Sequence, residues 1–150
     1  RAATVAAGLQ ALAERGAHTD DWVLVHDAAR CLVKATHIEH LIAQCEGDAV
    51  GGLLALPLAD TLKDSDEQGR SIATVNRRGK WLAQTPQMFR LGSLVEALAK
   101  AGDAVTDEAS AIEAMGLKPK LVEGDADNFK LTWPADFARA ERVLDYRKKR

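Results

Sequence analysis

The sequence predicts an α/β domain built on a mostly parallel sheet. Two observations carry this. Segments with helical apolar spacing alternate with short apolar, β-branched runs. One middle stretch, 57–89, loses helical spacing altogether and alternates short runs with turn residues.

Residues 4–14 place Val5, Leu9 and Leu12 on one helical face, and Gly16 stops that helix. Residues 22–26 are apolar and read as a central strand. Thr36-His37-Ile38-Glu39 has the pattern of a capping box, in which Thr and Glu satisfy free amides at a helix start. That helix turns Ile38, Leu41, Ile42 and Cys45 inward, and Gly47 closes it. Residues 49–56 form a second buried strand, where Gly51-Gly52 implies close backbone packing. The 57–89 stretch reads as a protruding β-arm with runs at 60–63, 71–75 and 80–84. Helices follow at 92–100 and at 107–115, the second capped by Thr106. Strands are expected at 120–122 and 129–132. Pro134 opens the last helix, which turns Phe137, Ala140, Val143 and Leu144 inward. There are no repeats, and the 150 residues suit one domain.

The charge balance, 20 basic against 22 acidic residues, implies no nucleic-acid surface. No apolar run approaches the roughly 18 residues of a membrane span. Two isolated cysteines, Cys31 and Cys45, fit the reducing cytoplasm better than a disulfide framework. His37 and His40 sit three apart with nothing nearby to complete a zinc set. Nucleophile-elbow, zincin and Walker patterns do not occur, and the serines lack a triad spacing.

Ligands of such sheets bind beyond the carboxyl ends of the strands. Asp27 and Arg30 follow the 22–26 strand there. A carboxylate at a strand tip can hold Mg²⁺ or a sugar hydroxyl, and a guanidinium suits phosphate. Taken singly, a turn aspartate and a surface ion pair are the plainer readings. Thr106 at a helix start could serve an anion, although Asp107 and Glu108 oppose one there. Lys130 could reach a phosphate or face water. Arg77, Arg78 and Lys80 cluster at a turn of the arm, where a solvated hairpin tip is an equal reading.

Five segments occur in order: VLVHDAAR at 23–30, ADTLK at 59–63, TPQMF at 85–89, TDEAS at 106–110 and EGDADNFKLTWPADF at 123–137. Together they strongly resemble the 2-C-methyl-D-erythritol 4-phosphate cytidylyltransferases of the non-mevalonate isoprenoid pathway, over essentially the whole chain. The resemblance implies a Rossmann-like nucleotidyltransferase sheet flanked by helices, with residues 57–89 as a dimerisation arm. It implies transfer of CMP from CTP to methylerythritol phosphate with release of pyrophosphate, aided by Mg²⁺ or another divalent cation.

By match to the family's motifs, Asp27 would contact the sugar alcohol or ribose and help hold the metal. Arg30 would serve the substrate phosphate, and Thr106 and Lys130 would serve phosphate and nucleotide oxygens. Arg1 and Thr4 would line the cytidine side. Thr61, Arg77 and Thr85 would reach the partner subunit's site. Two departures stand out. Cys31 replaces the family's proline after Ala-Ala-Arg, removing a rigid turn but no charge. The family's opening strand and glycine-rich loop, with an arginine and a lysine credited with transition-state stabilisation, are not in these residues. The 150 residues are therefore expected to be part of something longer and inactive alone. A ribitol 5-phosphate cytidylyltransferase is the nearest rival reading. A non-catalytic dimeric module that binds a nucleotide or phosphate is the rival of another class.

Overall fold

The computed structural model describes residues 2–102 and 105–149. Five helices and six strands occur in it: α1 (Ala2–Glu14), β1 (Trp22–Val25), α2 (Ala35–Cys45), β2 (Gly51–Pro57), β3 (Leu62–Ser65), β4 (Ser71–Val75), β5 (Trp81–Arg90), α3 (Leu91–Ala101), α4 (Glu108–Ala114), β6 (Lys120–Glu123) and α5 (Pro134–Lys148). The main sheet has the order β1-β5-β2-β6, and β3 and β4 form a separate two-stranded sheet.

The sheet is mixed rather than mostly parallel. β2 and β6 pair parallel, but β5 runs antiparallel to both β1 and β2. The reason is the arm. A helical crossover returns the chain to start a parallel strand, whereas a strand continuing from a hairpin comes back reversed.

Period-two alternation divides the core. Val23, Leu53 and Phe89 face α1, α3 and α4, where they meet Leu9, Leu94 and Ile112. Their neighbours Leu24, Leu54 and Met88 face α2, where they meet Leu41 and Cys45, and pack with Val122 of β6. Truncating such a side chain, Leu54→Ala for instance, costs about 2–5 kcal/mol. Gly51 and Gly52 behave as the sequence suggests. A Cβ at Gly51 would strike the Met88 carbonyl oxygen, one at Gly52 the Lys120 carbonyl oxygen, and Gly51 has φ of 107°. Only glycine fits both demands.

Several local expectations fail for identifiable reasons. The capping box at 36–39 does not form. α2 starts at Ala35 after Lys34, with no side-chain cap. Starting two residues early places Thr36 inside the first turn. Ile42 is exposed, as are Phe137, at 62%, and Leu144. α5 buries a narrow stripe around Ala140 and no full face. The cap of α4 is Asp107 rather than Thr106. Its carboxylate accepts from the Ser110 amide at 2.9 Å, a geometry carboxylates favour. Residues 129–132 form no strand, although the Leu131 amide donates to the Ala29 carbonyl at 2.9 Å.

The arm is shorter than 57–89. Residues 84–89 are buried inside the main sheet, where β5 lies between β1 and β2. The protruding part is the β3–β4 hairpin and the start of β5, whose residues 62–74 are almost all exposed.

Candidate active site

β5 carries the irregularity that builds the site. Leu53 pairs with Gln87 and Ala55 with Ala83, so two extra residues of β5 bulge out opposite Leu54. A bulge re-aims side chains and tolerates a proline. Here Gln84-Thr85-Pro86 occupy it, and Gln84 and Thr85 line a cleft. The cleft encloses about 220 Å³ beyond the carboxyl ends of β1 and β6. Asp27, Arg30, Thr106, Asp107 and Lys130 complete its walls.

Five of the residues singled out in the sequence therefore meet: Asp27, Arg30, Thr85, Thr106 and Lys130. Asp27 follows β1, Thr85 sits in β5, Thr106 precedes α4, and Lys130 lies on the loop between β6 and α5. Lys130 Nζ stands 3.2 Å from Asp27 Oδ2, with the carboxylate largely enclosed and the ammonium half exposed. Each charge is thus held ready at the cleft by its opposite.

Arg30 lines the cleft and also braces it. Its guanidinium donates to the Asn128 carbonyl at 2.7 Å and to the Ala83 carbonyl at 3.2 Å. It ties β1's end to β5 and to the Lys130 loop. Thr85 lines the cleft of its own chain, where the bulge turns it inward. Its hydroxyl accepts from the Asp27 amide at 3.0 Å. Thr61 and Arg77 lie exposed on the arm and do not line the cleft. Thr4 is exposed on the first turn of α1 and does not line the cleft either. Arg1 is outside the described residues.

At and behind the cleft wall lies a buried polar layer of which sequence reasoning singled out Thr85 and missed Gln84, Gln87 and Asn128. Gln84, Thr85, Gln87, Glu108 and Asn128 are all buried. The Gln87 amide donates to Asp107 Oδ2 at 2.9 Å, and its oxygen accepts from the Ala109 amide at 2.8 Å. It fixes the start of α4 against β5. The Asn128 amide donates to the Thr85 carbonyl at 2.8 Å, and the Gln84 amide to the Asp125 carbonyl at 2.9 Å. The visible signal was polar residues spaced through an otherwise apolar strand, QTPQMF, which is unusual for a central strand unless they are paired.

The loop that carries Asn128 and Lys130 is anchored from outside. Lys34 donates to Asp125 Oδ2 at 2.9 Å, and His37 Nε2 lies 3.4 Å from the same oxygen. The Lys34 hydrogen bond, helped by the Asp127 amide, holds the Asp125 carboxyl below its ordinary range. Burial pushes the His37 imidazole below its ordinary value, against the pull of Asp125.

A mixed sheet flanked by helices, with acid, base and hydroxyl groups gathered at strand ends, is an α/β domain of the class that binds ligands beyond its strand tips. Comparison with known proteins narrows the class. The profile of the family "IspD: 2-C-methyl-D-erythritol 4-phosphate cytidylyltransferase" matches residues 1–146, and the chain belongs to that family. It is 59% identical over 145 residues to a 2-C-methyl-D-erythritol 4-phosphate cytidylyltransferase of Chromobacterium violaceum, covering 96% of this chain and 63% of that protein. It is 63% identical over 144 residues to a bifunctional IspD/IspF enzyme of Albidiferax ferrireducens, covering 96% of this chain and 34% of that protein. The solved 4-diphosphocytidyl-2C-methyl-D-erythritol synthase superposes with a TM-score of 0.89 at 49% identity, over 95% of this chain and 65% of that one. The Thermus thermophilus cytidylyltransferase superposes at 0.83 with 33% identity, over 96% of this chain and 69% of that one. The chain thus spans less than two thirds of the length of the Chromobacterium violaceum and Albidiferax ferrireducens enzymes.

Proposed function

We propose that the protein transfers CMP from CTP to 2-C-methyl-D-erythritol 4-phosphate, releasing pyrophosphate and supplying isoprenoid synthesis. The observation that carries this is the Asp27–Lys130 pair, 3.2 Å apart, set with Thr85 and Thr106 in one cleft of a chain in this family.

In this reaction a phosphate oxygen of the acceptor attacks the α-phosphorus of CTP. The bond from that phosphorus to the pyrophosphate oxygen breaks, and pyrophosphate leaves with the electron pair. No covalent enzyme intermediate is required, so the chain's task is to position and to neutralise charge. Lys130 serves as the cation for phosphoryl oxygens. Asp27 swings its interaction from Lys130 to a sugar hydroxyl or a metal. Thr85 and Thr106 offer hydroxyl contacts from opposite walls, and Arg30 holds the loop that presents Asp27.

A magnesium ion fits this donor set modestly. Asp27, at the tip of β1 and paired with Lys130, is the cleft carboxylate that would hold it, while the oxygens of Asp107 serve Gln87 and the Ser110 amide. No cluster of three potential metal ligands occurs among the described residues. One carboxylate completed by substrate phosphates and water is the coordination magnesium prefers. When bound, the ion would add positive charge at the nucleotide phosphates.

The arm supports a homodimer. A two-stranded hairpin is marginal by itself, and this one leaves Ile72 66% exposed, with Leu62 and, at the start of β5, Leu82 exposed as well. Thr61 and Arg77 would then serve the partner's cleft. Two free cysteines, Cys31 and Cys45, suit a cytoplasmic protein; no helix among the described residues is long and apolar enough to cross a membrane.

The test is CTP-dependent pyrophosphate release by the full-length gene product, with methylerythritol phosphate or ribitol 5-phosphate as acceptor. Release with methylerythritol phosphate is expected. Release with ribitol phosphate alone would reassign the acceptor, and binding of CTP without release would leave a non-catalytic module.

A further inference from the structure

His26 follows β1 directly, and nothing above gives it a task. Its ring touches two partners. Nε2 lies 3.1 Å from the Arg30 carbonyl oxygen, and Nδ1 lies 2.9 Å from Thr85 Oγ1. A carbonyl oxygen can only accept, so the proton of the neutral ring must sit on Nε2. Nδ1 is then a bare acceptor, and the Thr85 hydroxyl must donate to it. That same hydroxyl oxygen accepts from the Asp27 amide at 3.0 Å. The direction of every bond follows: Asp27 amide to Thr85 oxygen, Thr85 proton to His26, His26 proton to the Arg30 carbonyl.

We propose that His26 is a positioning residue that fixes both the Asp27–Arg30 loop and the polarity of Thr85. This rests on the cytidylyl-transfer reading above. The ring grips the loop at its end through Arg30 and at its start through Thr85 and the Asp27 amide. The turn inside the loop, Arg30 amide to Asp27 carbonyl at 2.9 Å, keeps its shape between those two points. With its proton committed to His26, Thr85 offers the cleft a lone pair and no hydrogen. It therefore selects a ligand group that donates, such as a hydroxyl of a polyol phosphate, over a bare phosphate oxygen. The consequence is separable by degree: losing His26 weighs more on the acceptor, which Thr85 and the Asp27 loop both address, than on CTP.

Two readouts on the full-length protein test this. The first is a long-range proton–nitrogen correlation spectrum of histidine-labelled wild type, with His26 assigned by its loss in His26→Asn. A ring protonated at Nε2 and bare at Nδ1 is expected, shifting to a tautomer mixture in Thr85→Val. A wild-type ring protonated at Nδ1 would overturn the proposal, whatever the enzyme's activity or the folding of any variant. The second readout is kinetic. His26→Ala should lower kcat/KM for methylerythritol phosphate by about tenfold to a hundredfold, with the KM for CTP within about twofold of wild type. His26→Asn, whose side-chain oxygen can still accept the Thr85 proton, should recover part of the loss. Equal damage to both substrates, or none in an active enzyme, would overturn it. A wild type that releases no pyrophosphate with either acceptor would instead sink the functional reading, leaving the spectrum to decide the hydrogen-bond directions.

Discussion

Around the cleft, Gln84, Thr85, Gln87, Glu108 and Asn128 are buried, whereas every residue of β3 and all but the last of β4 are exposed. Both regions are rich in polar side chains. In the first, those side chains bridge separate elements, so that β1, β5, α4 and the 124–130 loop are held to one geometry. In the second, they serve local turns. Asp66 accepts from the Gln68 and Arg70 amides, and Asn76 accepts from the Arg78 amide, each within a few residues. The difference teaches where function can be precise within one chain. The cleft is preorganised by long-range bonds. The arm has a shape but little tertiary support among the described residues, which is the condition of a surface that a second copy would complete.

The sharpest way to break this contrast is at the cleft. Asp27→Ala in the full-length protein should lower the rate of pyrophosphate release about 10²–10³-fold, with an unchanged circular-dichroism spectrum. A loss below about threefold would remove Asp27 from the chemistry. Next in size is the buried layer. Asn128→Leu removes the donor to the Thr85 carbonyl, and urea unfolding should show a loss of about 1–3 kcal/mol. A change no larger than that of an exposed arm substitution would mean that the layer does not hold the cleft. On the arm, Ile72→Asp should shift light scattering toward the monomer while moving subunit stability by less than about 0.5 kcal/mol. An unchanged mass would count against the arm as the dimer contact.

The smallest effect concerns acid. His37 has a folded pKa below its ordinary 6.5, so its contribution to stability is complete above that pH and declines as pH falls below it. Asp125 is held below its ordinary 3.8. Its contribution is complete above that value and is lost as pH falls through the lower folded value. The melting temperature should therefore fall in two legs on acidification, and His37→Asn should flatten the first. An unaltered first leg in that variant would place its cause elsewhere.

The helix and strand elements were legible because apolar spacing is a local signal, and the α/β class followed from their alternation. Strand direction was not: β5 runs antiparallel because it continues from the hairpin, and nothing in QTPQMF states that. The exposure of Phe137 and Leu144 was equally hidden, since helical spacing names a face but not whether another element covers it. Asp27, Thr85, Thr106 and Lys130 were found through the family motifs, and the fold brings them to one cleft. The charge of Arg30 is visible in sequence, while its bracing of the Ala83 and Asn128 carbonyls is not. Gln87 and Asn128 escaped for a related reason. A buried amide is recognised by its partners, and those partners lie 20 and more residues away.

The most direct test is a crystal structure of the full-length protein with 4-diphosphocytidyl-2-C-methyl-D-erythritol. The cleft is not the roomiest cavity: an apolar groove of about 550 Å³ runs between α1 and α3, lined by Ala6, Leu9, Val95 and Leu98. The expected result puts the product's phosphates within hydrogen-bond distance of Lys130 and Thr106, and its sugar alcohol against Asp27 and Thr85. Product seated in the α1–α3 groove, with the Asp27–Lys130 pair closed and untouched, would contradict the assignment of the cleft as the site of cytidylyl transfer.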